Sequence, residues 1–188
     1  ETEPVQIATK IISKSEVPKS EDKFNEFKKT FHIDTKEKEF RLAGNTAAAD
    51  GRKKEQKKIE HDIKKEISIA LSAFGNTMGG KLFIGVDDDG TVVGLDDDLK
   101  SYDDSFDKFT REVQKSIDDF TKDSVFANEI IISIGEDNSF LQLEALPFRQ
   151  NPIYLHDDNQ EEFYIRGFGT SKKLSTINTV NYIQKNFN

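Results

Sequence analysis

Residues 73–90 read AFGNTMGGKLFIGVDDDG. Upstream of them, Ile59, Ile63, Ile67, Ala70, Leu71 and Phe74 recur at helical spacing. A long amphipathic helix therefore starts near Lys53 and stops near Gly75-Asn76, with Asn76 and Thr77 expected to cap its end. Lys81–Val86 (KLFIGV) is short and apolar, the pattern of a buried strand. Asp87–Gly90 suits a hairpin turn, and residues 91–95 (TVVGL) read as the returning strand. Helix, glycine turn, strand and hairpin in that order point to an α+β fold.

The same order disposes of a tempting motif. Gly75-x4-Gly80-Lys81 follows a phosphate-loop pattern until Leu82, where Mg²⁺ coordination needs Ser or Thr. A phosphate loop leads from strand to helix, so that a helix N-terminus faces the phosphates. Here a helix C-terminus, with its partial negative charge, meets the glycines. ATP binding through this loop is not expected. A calcium loop fails as well: with Gly90 at the sixth position, Gly85 falls at the first and supplies no side-chain ligand.

Working outward, residues 1–19 hold two of the four prolines, Pro4 and Pro18, and no sustained period. They are expected to be a flexible arm, with at most a short strand or helix over Val5 to Ile12. Residues 20–188 form the domain. Phe24, Phe27 and Phe31 mark a strand, and residues 34–52 read as a polar loop broken by Gly44, Asn45 and Gly51. Phe106, Phe109, Val113, Ile117 and Phe120 line one face of a second helix. EIIISIG (129–135) and SFLQLEALPF (139–148) pair across Glu136-Asp137-Asn138. Beyond Pro152 come the strands IYL and EFYIRGFGTSKKL, then a closing helix, TINTVNYIQKNF. The expected architecture is one mixed, mostly antiparallel sheet with helices packed on it.

Composition narrows the function classes. No stretch approaches the ~20 apolar residues of a membrane span, and no signal-peptide pattern opens the chain. The absence of Cys excludes disulfides, thiolate zinc sites and cysteine nucleophiles, and a cytoplasmic location is expected. The first residue is Glu1, as expected of a trimmed segment. A net charge of −8 argues against a broad nucleic-acid coat but leaves room for a local basic patch. One exists at residues 51–65, where Lys53, Lys54, Lys57 and Lys58 cluster. Those four, with Arg166, Lys172 and Lys173 in YIRGFGTSKK, are the candidate phosphate contacts, weighed against ordinary solvated charges.

The acidic residues suggest chemistry. Glu26 and Lys28 are two apart on the proposed strand, so both leave one face while Phe27 enters the core. Asp88 would join them from the hairpin, and Glu21 could too, if the chain bends near Asp22–Lys23. Carboxylates that hold Mg²⁺ or Mn²⁺ beside a lysine suit phosphodiester cleavage, with the lysine countering developing charge. The alternatives are a turn rich in Asp and a charged edge strand. Of the three histidines, His32 lies nearest in sequence to the acids and is the candidate proton shuttle. Tyr154 and Tyr164 read as half-buried strand residues rather than base platforms.

EDKFNEFKKTF, ISIALSAFGNTMGGKLFIGVDDDGTVVGL and NPIYL…EEFYIRGFGTSKKLS together resemble the three sequence blocks of the Schlafen AlbA-type family. The resemblance covers roughly residues 20–187. It implies a nucleic-acid-binding domain, with RNA such as tRNA, or DNA, as partner. Prokaryotic relatives are described as DNA-binding or regulatory domains, some labelled divergent ATPases. In vertebrate relatives one of two lobes cleaves tRNA and related RNAs at a site matching Glu-x4-Glu-Phe-Lys and the second Asp of Gly-Val-Asp-Asp. Carried onto this chain, the resemblance makes Glu21, Glu26 and Asp88 metal ligands, with Lys28 beside them. The zinc site of the vertebrate lobes cannot form without Cys. A two-lobed cradle would need a homodimer or a tandem partner. The competing expectation is a noncatalytic recognition module.

Overall fold

The computed structural model describes residues 10–187, so the first nine residues of the expected arm lie outside the described residues. In chain order the strands are β1 (Lys10–Ile12), β2 (Asn25–Lys28), β3 (Gly80–Ile84), β4 (Ile131–Gly135), β5 (Leu141–Ala145), β6 (Tyr154–Asp157), β7 (Gln160–Arg166) and β8 (Ser171–Lys173). The helices are α1 (Thr35–Leu42), α2 (Thr46–Lys54), α3 (Gln56–Gly75), α4 (Asp96–Lys100), α5 (Phe106–Thr121), α6 (Ser124–Glu129) and α7 (Thr176–Asn186).

The fold is α+β, as the sequence predicts, but its strands divide between two sheets. Five form a mixed sheet in the order β1-β4-β5-β3-β2, and β6-β7-β8 form a small antiparallel one. In the large sheet both outer pairs, β1 with β4 and β2 with β3, run parallel, while β5 lies antiparallel to β3 and β4. Residues 10–12 are therefore no loose arm. They form an edge strand that buries Ile12, and Val17 packs beside it.

Strand β3 explains why KLFIGV is apolar throughout. Leu82 and Ile84 enter the larger core with Phe74, Leu71, Phe109 and Val113. Phe83 points the other way, to Phe27, Val86 and Phe140. A strand buried on both faces reads as a continuous run. The paired glycines before it are required. Gly79 has φ +80°, and a Cβ on Gly80 would stand 2.3 Å from the Phe74 ring.

Three expectations need correction. Residues 34–52 are largely helical: Asp34 accepts hydrogen bonds from the Lys36 and Glu37 amides to start α1, and Asn45 caps α2 through the Ala48 amide. These helices bury almost nothing apolar, Ala49 excepted, so no periodic signal marks them. The long helix also breaks at Glu55 instead of running unbroken from Lys53. Finally, residues 91–95 meet the preceding strand only through a single Val86–Val92 bridge. The Val93 amide bond to the Gly85 carbonyl belongs to that bridge, and the Gly94 amide returns to the same carbonyl, so the ladder goes no further.

Asn76 does more than cap α3. Its Nδ2 donates to the carbonyls of Ile153 (2.8 Å) and Tyr164 (3.0 Å), and its Oδ1 accepts from the Ile153 amide (2.9 Å). Fully buried, it pins the small sheet to the end of α3. The capping falls to Thr77, whose hydroxyl donates to the Ala73 carbonyl at 2.6 Å. Among the described residues, no helix is long and apolar enough to cross a membrane.

Candidate active site

The site forms where edge strand β2 meets α3 and the end of β7. Glu26 pairs with Leu82 and Lys28 with Ile84 in the parallel register, so both point toward the α3 side while Phe27 is buried opposite. Lys28 Nζ lies 3.1 Å from Glu26 Oε1 and 3.6 Å from Glu66 Oε2 on α3. Burial alone would lower the Lys28 ammonium pKa, but the carboxylates of Glu26, Glu66 and Glu21 outweigh it and hold the group above its ordinary value.

Glu21 is brought in by a bend at the expected place. Asp22 Oδ1 accepts from the Phe24 amide (2.7 Å) and from Asn25 Nδ2 (2.9 Å), an Asx-type turn. The chain then doubles back, and Glu21 Oε1 accepts the Phe27 amide at 2.7 Å. Burial raises the Glu21 pKa. The Phe27 hydrogen bond opposes that shift, and the charges of Glu26 and Asp88 add to it. Asp88 stands exposed in the turn after β3, its carboxylate without a hydrogen bond or ion pair to any described residue. Its neighbour Asp87 is held by Lys29 at 2.9 Å. Glu21, Glu26, Lys28 and Asp88 thus share one electrostatic neighbourhood.

Arg166 corrects an expectation. It is 5% exposed and cannot serve as a surface phosphate contact. Its Nη1 donates to Glu26 Oε2 at 2.7 Å, and its Nη2 donates to the carbonyls of Asp22 (2.8 Å) and Asn25 (3.2 Å). The guanidinium also lies 4.8 Å from the centre of the Phe74 ring. It is a positioning residue that fixes Glu26 and the bend bearing Glu21.

The remaining candidates sit farther out. Lys53, Lys54, Lys57 and Lys58 are exposed at the α2–α3 junction and make no ion pair with any described residue. Lys58 precedes Glu66 by eight residues, about 12 Å along α3. Lys172 is exposed and unpaired among the described residues, whereas Lys173 is tied to Glu162. His32 is not at the acids. Its Nδ1 lies 2.8 Å from buried Asp98 Oδ1, off the line of a hydrogen bond, and its ring packs on Tyr102 and Phe31. Tyr154 and Tyr164 are half-buried, as expected.

The donor chemistry suits a hard divalent cation, since every candidate ligand is a carboxylate. Among the described residues, however, no three His, Asp or Glu side chains form a ready-made cage. Glu26 has a cation on each oxygen. Glu21 keeps one oxygen, and Asp88 both, without a hydrogen-bond donor. Mg²⁺ commonly takes one or two carboxylates and completes its shell with water and substrate phosphate. Glu21 and Asp88 carry the carboxylate oxygens that such a partial set would use.

A family model described as Schlafen, AlbA_2 matches residues 21–175, from Glu21 to just past β8. The chain belongs to the Schlafen AlbA_2 family. Neither a curated protein nor a solved structure matches it. The Schlafen AlbA_2 match spans all four clustered residues and the Arg166 clamp, and it supports a nucleic-acid-related role for the domain. Sequence reading assigned the wrong task to Arg166 and overlooked Glu66. Nothing local marks either one, because both meet β2 only through tertiary packing.

Proposed function

We propose that this Schlafen AlbA_2 domain binds nucleic acid and cuts it, as a Mg²⁺- or Mn²⁺-dependent endonuclease acting on structured RNA such as tRNA. The observation that carries the reading is that Glu26 and Lys28 lie 3.1 Å apart on β2 and that Glu21 folds back onto the same strand through the Phe27 amide. Asp88, exposed in the turn after β3, adds its charge to the field at the Glu21 carboxyl. Lys28 and Arg166 relieve Glu26, but no described cation is hydrogen-bonded to Glu21 or Asp88.

Glu21 and Asp88 would hold the ion, with Glu26 as the third carboxylate once a cation partner yields an oxygen to it. Bound there, a divalent ion polarises a phosphate and makes water a better nucleophile. Lys28, held charged by its acidic neighbours, would counter the negative charge that builds on the phosphate. Arg166 keeps Glu26 and the Glu21 bend in place. Lys53, Lys54, Lys57, Lys58 and Lys172 would contact backbone phosphates, which position a ligand without reading its sequence.

The second reading is a noncatalytic recognition module, and the double clamp on Glu26 favours it. The deciding experiment incubates labelled tRNA and labelled single-stranded DNA with the protein and Mn²⁺, alongside Asp88→Ala. Asp88 is exposed and unpaired, so its removal should leave folding intact. Cleavage lost in the variant, with binding retained, supports the nuclease and identifies the polymer. Binding without cleavage by either protein, unaffected by EDTA, leaves the recognition module.

A further inference from the structure

Among the fifteen Phe of the chain, Phe168 is 96% exposed, and the next most exposed, Phe24, is 43%. Phe168 occupies the tip of the β7–β8 hairpin. Below it, the Gly167 amide donates to the Thr170 carbonyl at 2.8 Å, so that Phe168 and Gly169 form a closed two-residue loop. Gly169 adopts φ +72°, and a Cβ built on it would meet nothing within 4 Å. The tip is tightly turned and surrounded by open space.

A lone exposed apolar side chain is ordinary. What sets Phe168 apart is the root of its hairpin. Arg166, two residues earlier, is buried against Glu26 and also donates to Ser171 Oγ on the returning strand at 3.4 Å. Two residues of chain reach no farther than about 7 Å, so the backbone of the tip stays within that span of the Arg166 backbone, whose side chain clamps Glu26. On the returning strand, Lys172 is exposed and has no ion partner among the described residues. An aromatic face and an unpaired cation therefore stand together on a short, braced hairpin.

We propose that Phe168 is a stacking platform for an unpaired base of the nucleic acid held at the Glu21–Glu26–Asp88 site, an inference that rests on the function proposed above. Every base offers a π face, so a ring of this kind binds bases with little regard to sequence. Lys172 would take a phosphate of the same strand. Bases inside a duplex already have both faces covered. The platform therefore selects single-stranded or looped segments.

The chain contains no Trp, so Phe168→Trp adds a single indole reporter. A labelled single-stranded oligoribonucleotide, its duplex, the matching single-stranded DNA and anionic lipid vesicles are titrated into the wild type, Phe168→Trp and Phe168→Ala. We expect the single strand to quench the indole of Phe168→Trp. Phe168→Ala should bind the single strand about tenfold more weakly with an unchanged salt slope, and lose less on the duplex. Equal binding of the single strand by wild type and Phe168→Ala, with indole emission unmoved, overturns the platform and leaves the proposed function standing. No binding of RNA or DNA by the wild type removes that function and the platform together. A response of the indole only to anionic lipid vesicles makes the tip a membrane contact and overturns the proposal.

Discussion

Arg166 and Glu26, 140 residues apart in sequence, meet at 2.7 Å in the structure. The Arg166 side chain is 1% exposed and that of Glu26 15%, so the pair is shielded from solvent. Removing one partner of such a pair strands the other charge. Arg166→Met should destabilise the domain by about 3 kcal/mol, and adding Glu26→Gln should recover part of that loss. Urea unfolding of the two single variants and the double variant measures the coupling. An Arg166→Met variant within about 0.5 kcal/mol of wild type would show the clamp to be dispensable.

Asp34 ties α1 to α2. It caps α1 and accepts from Arg52 Nε at 2.5 Å and Nη2 at 2.8 Å. Burial pushes its carboxyl upward, but Arg52 and the Glu37 and Lys36 amides overcome that and hold the pKa below its ordinary 3.8. A depressed folded-state pKa contributes stability above the unfolded value, and the contribution is lost as pH falls through the folded one. Acid titration of stability should therefore be shallower for Asp34→Asn than for wild type below pH 3.8. At neutral pH, Asp34→Ala should lose roughly 1 kcal/mol from the missing cap alone. Identical acid limbs for wild type and Asp34→Asn would rule out the linkage.

Asp98 holds the chain that leaves β2. Its Oδ1 accepts from the Phe31 amide (3.1 Å) and the His32 amide (3.2 Å), and it is 1% exposed. Asp98→Ala leaves the buried Phe31 amide and the half-buried His32 amide unsatisfied and should cost roughly 3 kcal/mol. His32→Gln should leave nucleic-acid cleavage within a few-fold of wild type, because His32 faces Asp98 and not the acids. A drop in cleavage rate of about a hundredfold or more, the scale of a lost general acid or base, would restore His32 as a proton shuttle.

Lys53, Lys54, Lys57 and Lys58 test the electrostatic part of binding. None has an ion pair with a described residue, so replacing all four with Gln should shift stability by no more than about 0.5 kcal/mol. Each lost phosphate contact should flatten the dependence of log affinity on log salt by roughly 0.7 on a single strand. The slope, measured by fluorescence anisotropy between low and physiological salt, should fall by up to about 3. An unchanged slope would show that the patch faces away from the ligand.

Elements with a strong apolar period could be read directly. Ile67, Leu71 and Phe74 announced α3, and Phe109, Val113 and Ile117 announced α5, because burying one face imposes a spacing. Helices α1 and α2 carry no apolar period, since a pair of helices joined by the Arg41–Asp50 and Arg52–Asp34 ion pairs needs no apolar stripe. The strand expected over residues 91–95 failed because Gly85 and Gly94, both at positive φ, bend the backbone out of register. At the proposed site, spacing along β2 marks Glu21, Glu26 and Lys28 as candidates, and Asp88 joins them only through the family resemblance.

By itself, then, the sequence determined the α+β class, the helix–glycine–strand junction at Gly79-Gly80 and the local grouping of acids around β2. Period, turn chemistry and strand alternation act over a few residues and leave their mark in the chain. Only the tertiary structure decided that Arg166 is a buried clamp instead of a surface cation, that Asn76 pins the small sheet to the end of α3, and that His32 belongs to Asp98. Those roles depend on which distant backbone groups and charges are left without water when the small sheet docks on α3. A buried charge or amide must find its partner wherever packing puts one, and sequence spacing carries no record of that choice.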